Sequence, residues 1–236
     1  MILNKLEIDV MQLNEIQDAV DLAFKYNLPA IVVHPGLSSD AIIAKSRAGG
    51  KFKIISPIDW PKGETFGTVK LRGLSIDTLE TDGFEFLLTP NKLELETRNE
   101  AMALTDFVRR HISPITEVRF VLGTSTRLEE NINTMCRGLL TVRTPSMIRT
   151  DTQLKLQVSK ANTEEHNRQI DNIRNIIKTP IKVSGNITNL KAITSINADR
   201  YGVNLLQAKT IIKEFNSQPS ELRELLNSDK TPPTLP

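Results

Sequence analysis

Two cations stand where an apolar run gives out: Arg149 in SMIRTDT (146–152) and Lys182 in PIKVSGNITN (180–189). A lysine amine attacks a carbonyl only when neutral, and a fixed positive charge beside it lowers its pKa. If both side chains enter one pocket, Lys182 becomes an imine-forming nucleophile, with Arg149 depressing its pKa or anchoring a substrate anion. Alternatively, each cation closes a strand and pairs with Asp9, Asp59 or Asp151, a structural role that perturbs charged groups just as an active site does. Asp9, His34 and Asp59 are the candidate proton carriers, although a lone histidine at a buried strand end is more often a hydrogen-bonded structural residue. Ser184, Gly185 and Asn186, and then Gly202 and Asn204, lie at strand-to-helix junctions where backbone N–H groups can receive a phosphate or other anion. The same glycines would equally serve tight turns and nothing more. Thr89, Thr124 and Asp151 complete the polar residues set directly after apolar runs.

These residues need elements to hold them, and hydrophobic periodicity supplies a series. Strands are expected at LEIDV (6–10), AIVVHP (30–35), KFKIISPIDWP (51–61), GFEFLLTP (83–90), EVRFVLGT (117–124), SMIRTD (146–151), IKVSG (181–185) and YGVNL (201–205). Between them the spacing is helical. Ile16, Ala19, Val20, Ala23 and Phe24 share one face after an Asn14/Gln17 capping pair; Ala101, Leu104 and Val108 share another. Leu128, Ile132, Met135 and Leu139 follow a Thr126/Glu129 capping pair. Ile170, Ile173, Ile176 and Ile177 follow an Asn162/Glu165 pair, and Ala208, Ile211, Ile212 and Phe215 close the series. A weaker helix is expected from about residue 65. Eight strands alternating with helices predict parallel strands joined by crossovers, hence a single (β/α)8 barrel over residues 1–216, with chemistry at the carboxyl ends of its strands. An open doubly wound sheet is the alternative, but no G-x-G-x-x-G follows the first strand. Residues 217–236 read as a polar, proline-containing and mobile tail with a short helix in ELRELL.

The totals exclude several classes. Of 236 residues 39% are hydrophobic, enough for one full core. The net charge of +2, from 30 basic and 28 acidic side chains, gives no field that points to nucleic acid or an anionic membrane. A single cysteine, Cys136, rules out an internal disulfide framework and a cysteine metal cage; it fits a small core residue in a reducing, cytoplasmic setting. Neither a cofactor nor a metal is implied. The first 15 residues carry acids where a signal peptide has its apolar run, and no apolar segment approaches the roughly 18 residues of a membrane span. Trp60 and Pro61 read as packing under a loop.

The order of segments resembles deoxyribose-phosphate aldolase over roughly residues 6–215. VVHP is similar to the family's second strand, IDWPKG to its Phe-Pro-x-Gly segment, IKVSGNITNLKAI to its seventh-strand Lys-x-(Ser/Ala)-Gly-Gly motif, and DRYGVNLLQAKTII to its final Arg-(Phe/Ile)-Gly-x-Ser-Ser segment. The resemblance implies the barrel fold but not the full chemistry. The family's Schiff-base lysine, in Lys-Thr-Ser-Thr-Gly on strand six, falls on Arg149 of Arg-Thr-Asp-Thr-Gln, and a guanidinium forms no imine. Its proton-relay aspartate on strand four falls on Phe86, its phosphate-binding serines fall on Asn204 and Leu205, and the second glycine of strand seven is Asn186. Lys182 alone keeps its identity.

Three readings follow. The first is a catalytically degenerate aldolase-like protein that binds a small phosphorylated, anionic or carbonyl metabolite, or a protein partner. The second is an active carbon–carbon lyase in which Lys182 forms the imine. The third is a structural or assembly protein, including a homo-oligomer, that uses the barrel as a scaffold and has its mouth plugged by side chains. Whether Lys182 is deprotonated near neutral pH separates the second from the others.

Overall fold

In five strands the side chains alternate apolar and charged, so each strand has one face that must leave water and one that resists doing so. A computed structural model describes residues 2–58, 80–89, 92–122, 129–140, 142, 147–155 and 160–227. It solves the conflict by closing eight parallel strands into a barrel in the order β1 to β8. These are β1 (Leu6–Val10), β2 (Ala30–Val33), β3 (Lys53–Ile58), β4 (Gly83–Leu87), β5 (Glu117–Leu122), β6 (Met147–Lys155), β7 (Ile181–Asn186) and β8 (Arg200–Asn204). The seam between β1 and β8 pairs Glu7 with Gly202 and Asp9 with Asn204. The α/β barrel expected from the alternation is the observed fold.

Among the described residues eight α-helices surround it: α1 (Ile16–Tyr26), α2 (Ser38–Ala48), α3 (Glu94–His111), α4 (Glu129–Leu139), α5 (Lys160–Ile176), α6 (Leu190–Ser195), α7 (Leu205–Asn216) and α8 (Ser220–Asn227). Their apolar stripes meet the outward faces of the strands. Leu6, Ile8 and Val10 of β1, Phe84 and Phe86 of β4, and Ile181 and Val183 of β7 join Leu104, Ile173 and Ile211 in one buried cluster.

Details differ from expectation for local reasons. Helix α1 starts later than Asn14: the Met11 and Gln12 N–H groups donate to the Glu15 carboxylate, so the capping carboxylate lies two residues before Gln17. Phe24 sits at the edge of the stripe and is 58% exposed. Helix α5 begins at Lys160, which puts Asn162 inside its first turn instead of before it. Strand β6 runs past Asp151 to Lys155, with a register shift against β7 between those two residues. Ser220–Asn227 is docked, since Leu226 is buried in the main cluster and its carbonyl accepts the Ile2 N–H at 3.1 Å. Cys136 lies in the core, where burial pushes its thiol up to about 12. The helix expected from about residue 65, Trp60, Pro61, Thr124, Thr126, Leu128 and the terminal residues 228–236 lie outside the described residues.

Candidate functional site

The inward faces of β1, β4, β5, β6 and β7 carry Glu7 and Asp9, Glu85, Arg119, Arg149 and Lys182. All of these except Asp9 are essentially shut off from solvent. Burying one such charge alone would cost several kcal/mol in order of magnitude, so the six are arranged to neutralise each other.

Arg119 is the hub at the lower level. Its NH1 donates to Glu7 Oε2 at 2.6 Å and to Glu85 Oε1 at 2.9 Å, its NH2 to Glu7 Oε1 at 3.0 Å, and its Nε to Glu117 Oε1 at 2.7 Å. Lys182 Nζ stands among three carboxylates, 2.8 Å from Glu7 Oε2, 3.0 Å from Glu85 Oε1 and 3.6 Å from Asp9 Oδ1. Arg149 closes the upper level, donating through NH1 to Glu85 Oε2 and lying 3.3 Å from Asp9 Oδ2 through NH2. Inside the barrel three carboxylates, Glu7, Asp9 and Glu85, therefore meet three cations, and Glu117 adds a fourth carboxylate to Arg119 from the start of β5. Asp9, 13% exposed on its side chain, is the member nearest to solvent.

The electrostatics follow from this packing. Burial alone would raise the Glu7 pKa, but the Arg119 guanidinium and then the Lys182 ammonium outweigh it and hold the carboxyl down to about 2. Glu85 is likewise raised by burial and driven well below the carboxylate range by Lys182, Arg149 and Arg119. For Lys182, burial favours the neutral amine, yet Glu7, Glu85 and Asp9 overcome it and raise its pKa; Arg149 opposes them with the smallest of these contributions. Arg149 and Lys182 do enter one site, as neighbours in register. The amine there is held as an ammonium.

The other predicted residues have separate fates. His34 is exposed: its Nδ1 accepts the Gly36 N–H at 3.3 Å and caps the turn at Pro35–Leu37, away from the network. Asp59 lies outside the described residues. Thr89 donates to Glu100 through its N–H at 3.2 Å and its hydroxyl at 3.1 Å, tying β4 to α3. Gly185 has φ of 138°, a backbone conformation that side chains disfavour, so the turn itself demands a glycine. Asn186 and Asp151 take their places in the β6–β7 ladder, Asp151 opposite Ser184. Ser184 is buried inside the barrel at the same level as Gly202. A Cβ at Gly202 would collide with Ser184 Oγ and come within 2.6 Å of Lys182 Cε, so this glycine makes room for the lysine stem. Asn204 is the N-cap of α7: its side-chain oxygen accepts the Gln207 N–H at 2.9 Å, leaving that atom committed to the helix.

Sequence reasoning missed Glu7, Glu85 and Arg119, because attention to strand ends passes over charges in mid-strand. The signal was the alternation itself, in LEIDV, FEF and EVRFV. Strand four turns its two central residues to opposite sides. Phe86 points outward into the main apolar cluster, while the carboxylate facing the interior is Glu85, one residue earlier.

Comparison with solved structures finds this architecture repeatedly. Deoxyribose-phosphate aldolase from Aeropyrum pernix, described as having a unique tetrameric structure, matches with a TM-score of 0.74 at 14% identity, covering 92% of this chain and 91% of that one. A protein described as an aldolase matches with a TM-score of 0.68 at 18% identity over 91% and 96% of the two chains. A candidate deoxyribose-phosphate aldolase from Coccidioides immitis matches with a TM-score of 0.72 at 15% identity over 91% and 85%. No protein-family model and no curated protein matches. At these identities the likeness is one of fold: the chain has the barrel of the deoxyribose-phosphate aldolases.

Proposed function

We propose that this chain is a catalytically degenerate barrel of the aldolase type, which acts by binding a small anionic or carbonyl metabolite or a protein partner and forms no Schiff base. The observation that carries the reading is the environment of Lys182. An imine requires a neutral amine and a path for a carbonyl carbon to reach it. Lys182 is fully buried and held protonated among three carboxylates. Arg149, at the position corresponding to the aldolase nucleophile, has no chemistry of that kind. Glu85 supplies a carboxylate on strand four, but both of its oxygens are engaged by Arg119, Lys182 and Arg149, which leaves none committed to moving a substrate proton. Self-neutralisation of the six groups supports a scaffold or binding role over turnover. Assembly into a homo-oligomer fits the same reading, and the Aeropyrum pernix neighbour is described as a tetramer. A reducing, cytoplasmic setting suits the buried lone cysteine.

The test is trapping with borohydride. The protein is incubated with deoxyribose 5-phosphate, acetaldehyde or pyruvate, reduced, and weighed intact beside a Lys182→Ala control. No reduced adduct is expected with any of the three. An adduct that disappears in the control identifies Lys182 as a working imine-forming amine and overturns the proposal in favour of a lyase.

A further inference from the structure

The amino-terminal end of such a barrel is the face where chemistry is not expected. Here that end holds a cavity of about 400 Å³, within the roughly 300–1,000 Å³ range of small-ligand pockets. Its apolar wall is made by Ile115, Met147 and Pro180, and its polar lining by Lys53, Glu117, Asp199 and Arg200.

Counting donors and acceptors decides which ligand charge this lining suits. Both Glu117 oxygens are engaged, one by Arg119 Nε at 2.7 Å and the other by Lys53 Nζ at 2.6 Å. Asp199 Oδ2 already accepts the Ile181 N–H at 2.8 Å and Arg174 NH2 at 3.1 Å, which leaves Asp199 Oδ1 as the single spare carboxylate oxygen of the lining against several spare N–H donors. The cations are less committed. Arg200 donates through NH1 to the Asp199 carbonyl at 3.1 Å, and its Nε lies 3.9 Å from Glu7 Oε1, beyond hydrogen-bond reach. A guanidinium has five N–H donors and an ammonium three, so most of the Arg200 fork and two donors of Lys53 remain to be used. Ile115 beside them is 90% exposed, a large apolar side chain left in water at the rim.

We propose that this cavity is a second binding site, for a small anion joined to a short apolar body, with Arg200 and Lys53 holding the anionic group and Ile115, Met147 and Pro180 covering the apolar part. Arg200 is the main determinant because its planar fork matches a carboxylate or phosphate in two contacts at once. The site lies below the interior network and adjoins it through Glu117, which accepts from Arg119, and through Arg200, 3.9 Å from Glu7. It stands whether or not Lys182 proves reactive.

Amide NMR of the intact chain, titrated with hexanoate, hexylammonium and inorganic phosphate, tests it. Hexanoate is expected to give saturable shifts at Ile115, Glu117 and Arg200, hexylammonium none, and phosphate weaker ones. Arg200→Met is expected to weaken hexanoate about tenfold, the scale of one charge-assisted hydrogen bond, and Ile115→Glu about as much, by removing apolar cover and adding a negative charge beside the anion. Ile115 is a surface residue, so its variant keeps the fold intact as a check on the Arg200 result. The proposal is overturned by an absence of saturable shifts at these amides, by equal binding of hexylammonium, by phosphate binding as tightly as hexanoate, or by unchanged affinity in both variants.

Discussion

The outer and inner faces of the same strands are held by opposite physics. Outside, Leu6, Ile8, Phe84, Phe86, Val118, Phe120, Ile148 and Val183 merge with the helix stripes into one apolar cluster. Inside, the same five strands present Glu7, Asp9, Glu85, Arg119, Arg149 and Lys182, and among the described residues a separate small apolar cluster is formed by Ala30, Val32 and Ile55 on β2 and β3. Apolar contacts are non-directional, so the outer layer tolerates changes that conserve volume. An ion network is directional and mutual, and removing one member strands its partners without water or counter-charge. Barrel interiors are usually filled by bulky branched residues. This one depends on charge balance where most depend on shape.

The comparison is broken most sharply at Arg119. Arg119→Met removes one of the two cations that Glu7 and Glu85 share, leaving Lys182 alone between them, and is expected to cost about 3–5 kcal/mol in urea unfolding at neutral pH. A loss below 1 kcal/mol, on the order of a surface substitution, would mean that the interior is held by something other than the network.

Acid titration comes next. Glu7 is held at about 2 against an ordinary 4.5, so its contribution is complete above the ordinary value and is lost as pH falls through this interval toward 2, about 3 kcal/mol in all. Glu85 is shifted in the same direction and adds to the same acid-side loss. Lys182 has the opposite sign: its raised pKa stabilises below its ordinary 10.5 and is lost as pH rises beyond it. Leu104→Ala, in the outer core, is expected to lower stability by about 2–5 kcal/mol while keeping the acid slope of the parent. Arg119→Met should flatten that slope, because Glu7 then loses the strongest of the charges that depress it. Parallel acid curves for the two variants would contradict the division into two cores.

A smaller effect is expected at the wall of the network. Gly202→Ala pushes a methyl group against the Lys182 stem and Ser184, and an overpacking cost of about 1–3 kcal/mol should follow in thermal or urea unfolding. A neutral outcome would show that the lysine stem has room to move. The smallest effect belongs to the outer layer. Asn204→Ala removes the α7 cap for about 1 kcal/mol, and it should leave carbonyl trapping and the acid slope unchanged if Asn204 serves only the helix.

Much of the architecture could be read directly from periodicity. Apolar runs such as AIVV, bounded by turn residues and separated by helical stripes, specify parallel strands with crossovers whatever the distant contacts are. The core faces of α3, α5 and α7 were legible in the same way, through Leu104, Ile173 and Ile211. The pairing of Arg149 with Lys182 could be anticipated because the two strands are adjacent and parallel, but not its level: both residues sit in the amino-terminal halves of β6 and β7, pointing into the barrel, and not at the carboxyl ends where the apolar runs place them. Their protonation could not, since it depends on Glu7 and Glu85 arriving from strands far along the chain.

Alternation in LEIDV, FEF and EVRFV states that Glu7, Glu85 and Arg119 lie on the faces opposite their apolar neighbours. By local rules that face belongs in water. Only closure of the sheet turns it inward, brings β1, β4, β5 and β7 across one axis, and places Arg119 within 3.0 Å of both Glu7 and Glu85. Local sequence determines which side of a strand a charge occupies. Whether that side meets solvent or three opposite charges is a property of the closed barrel alone.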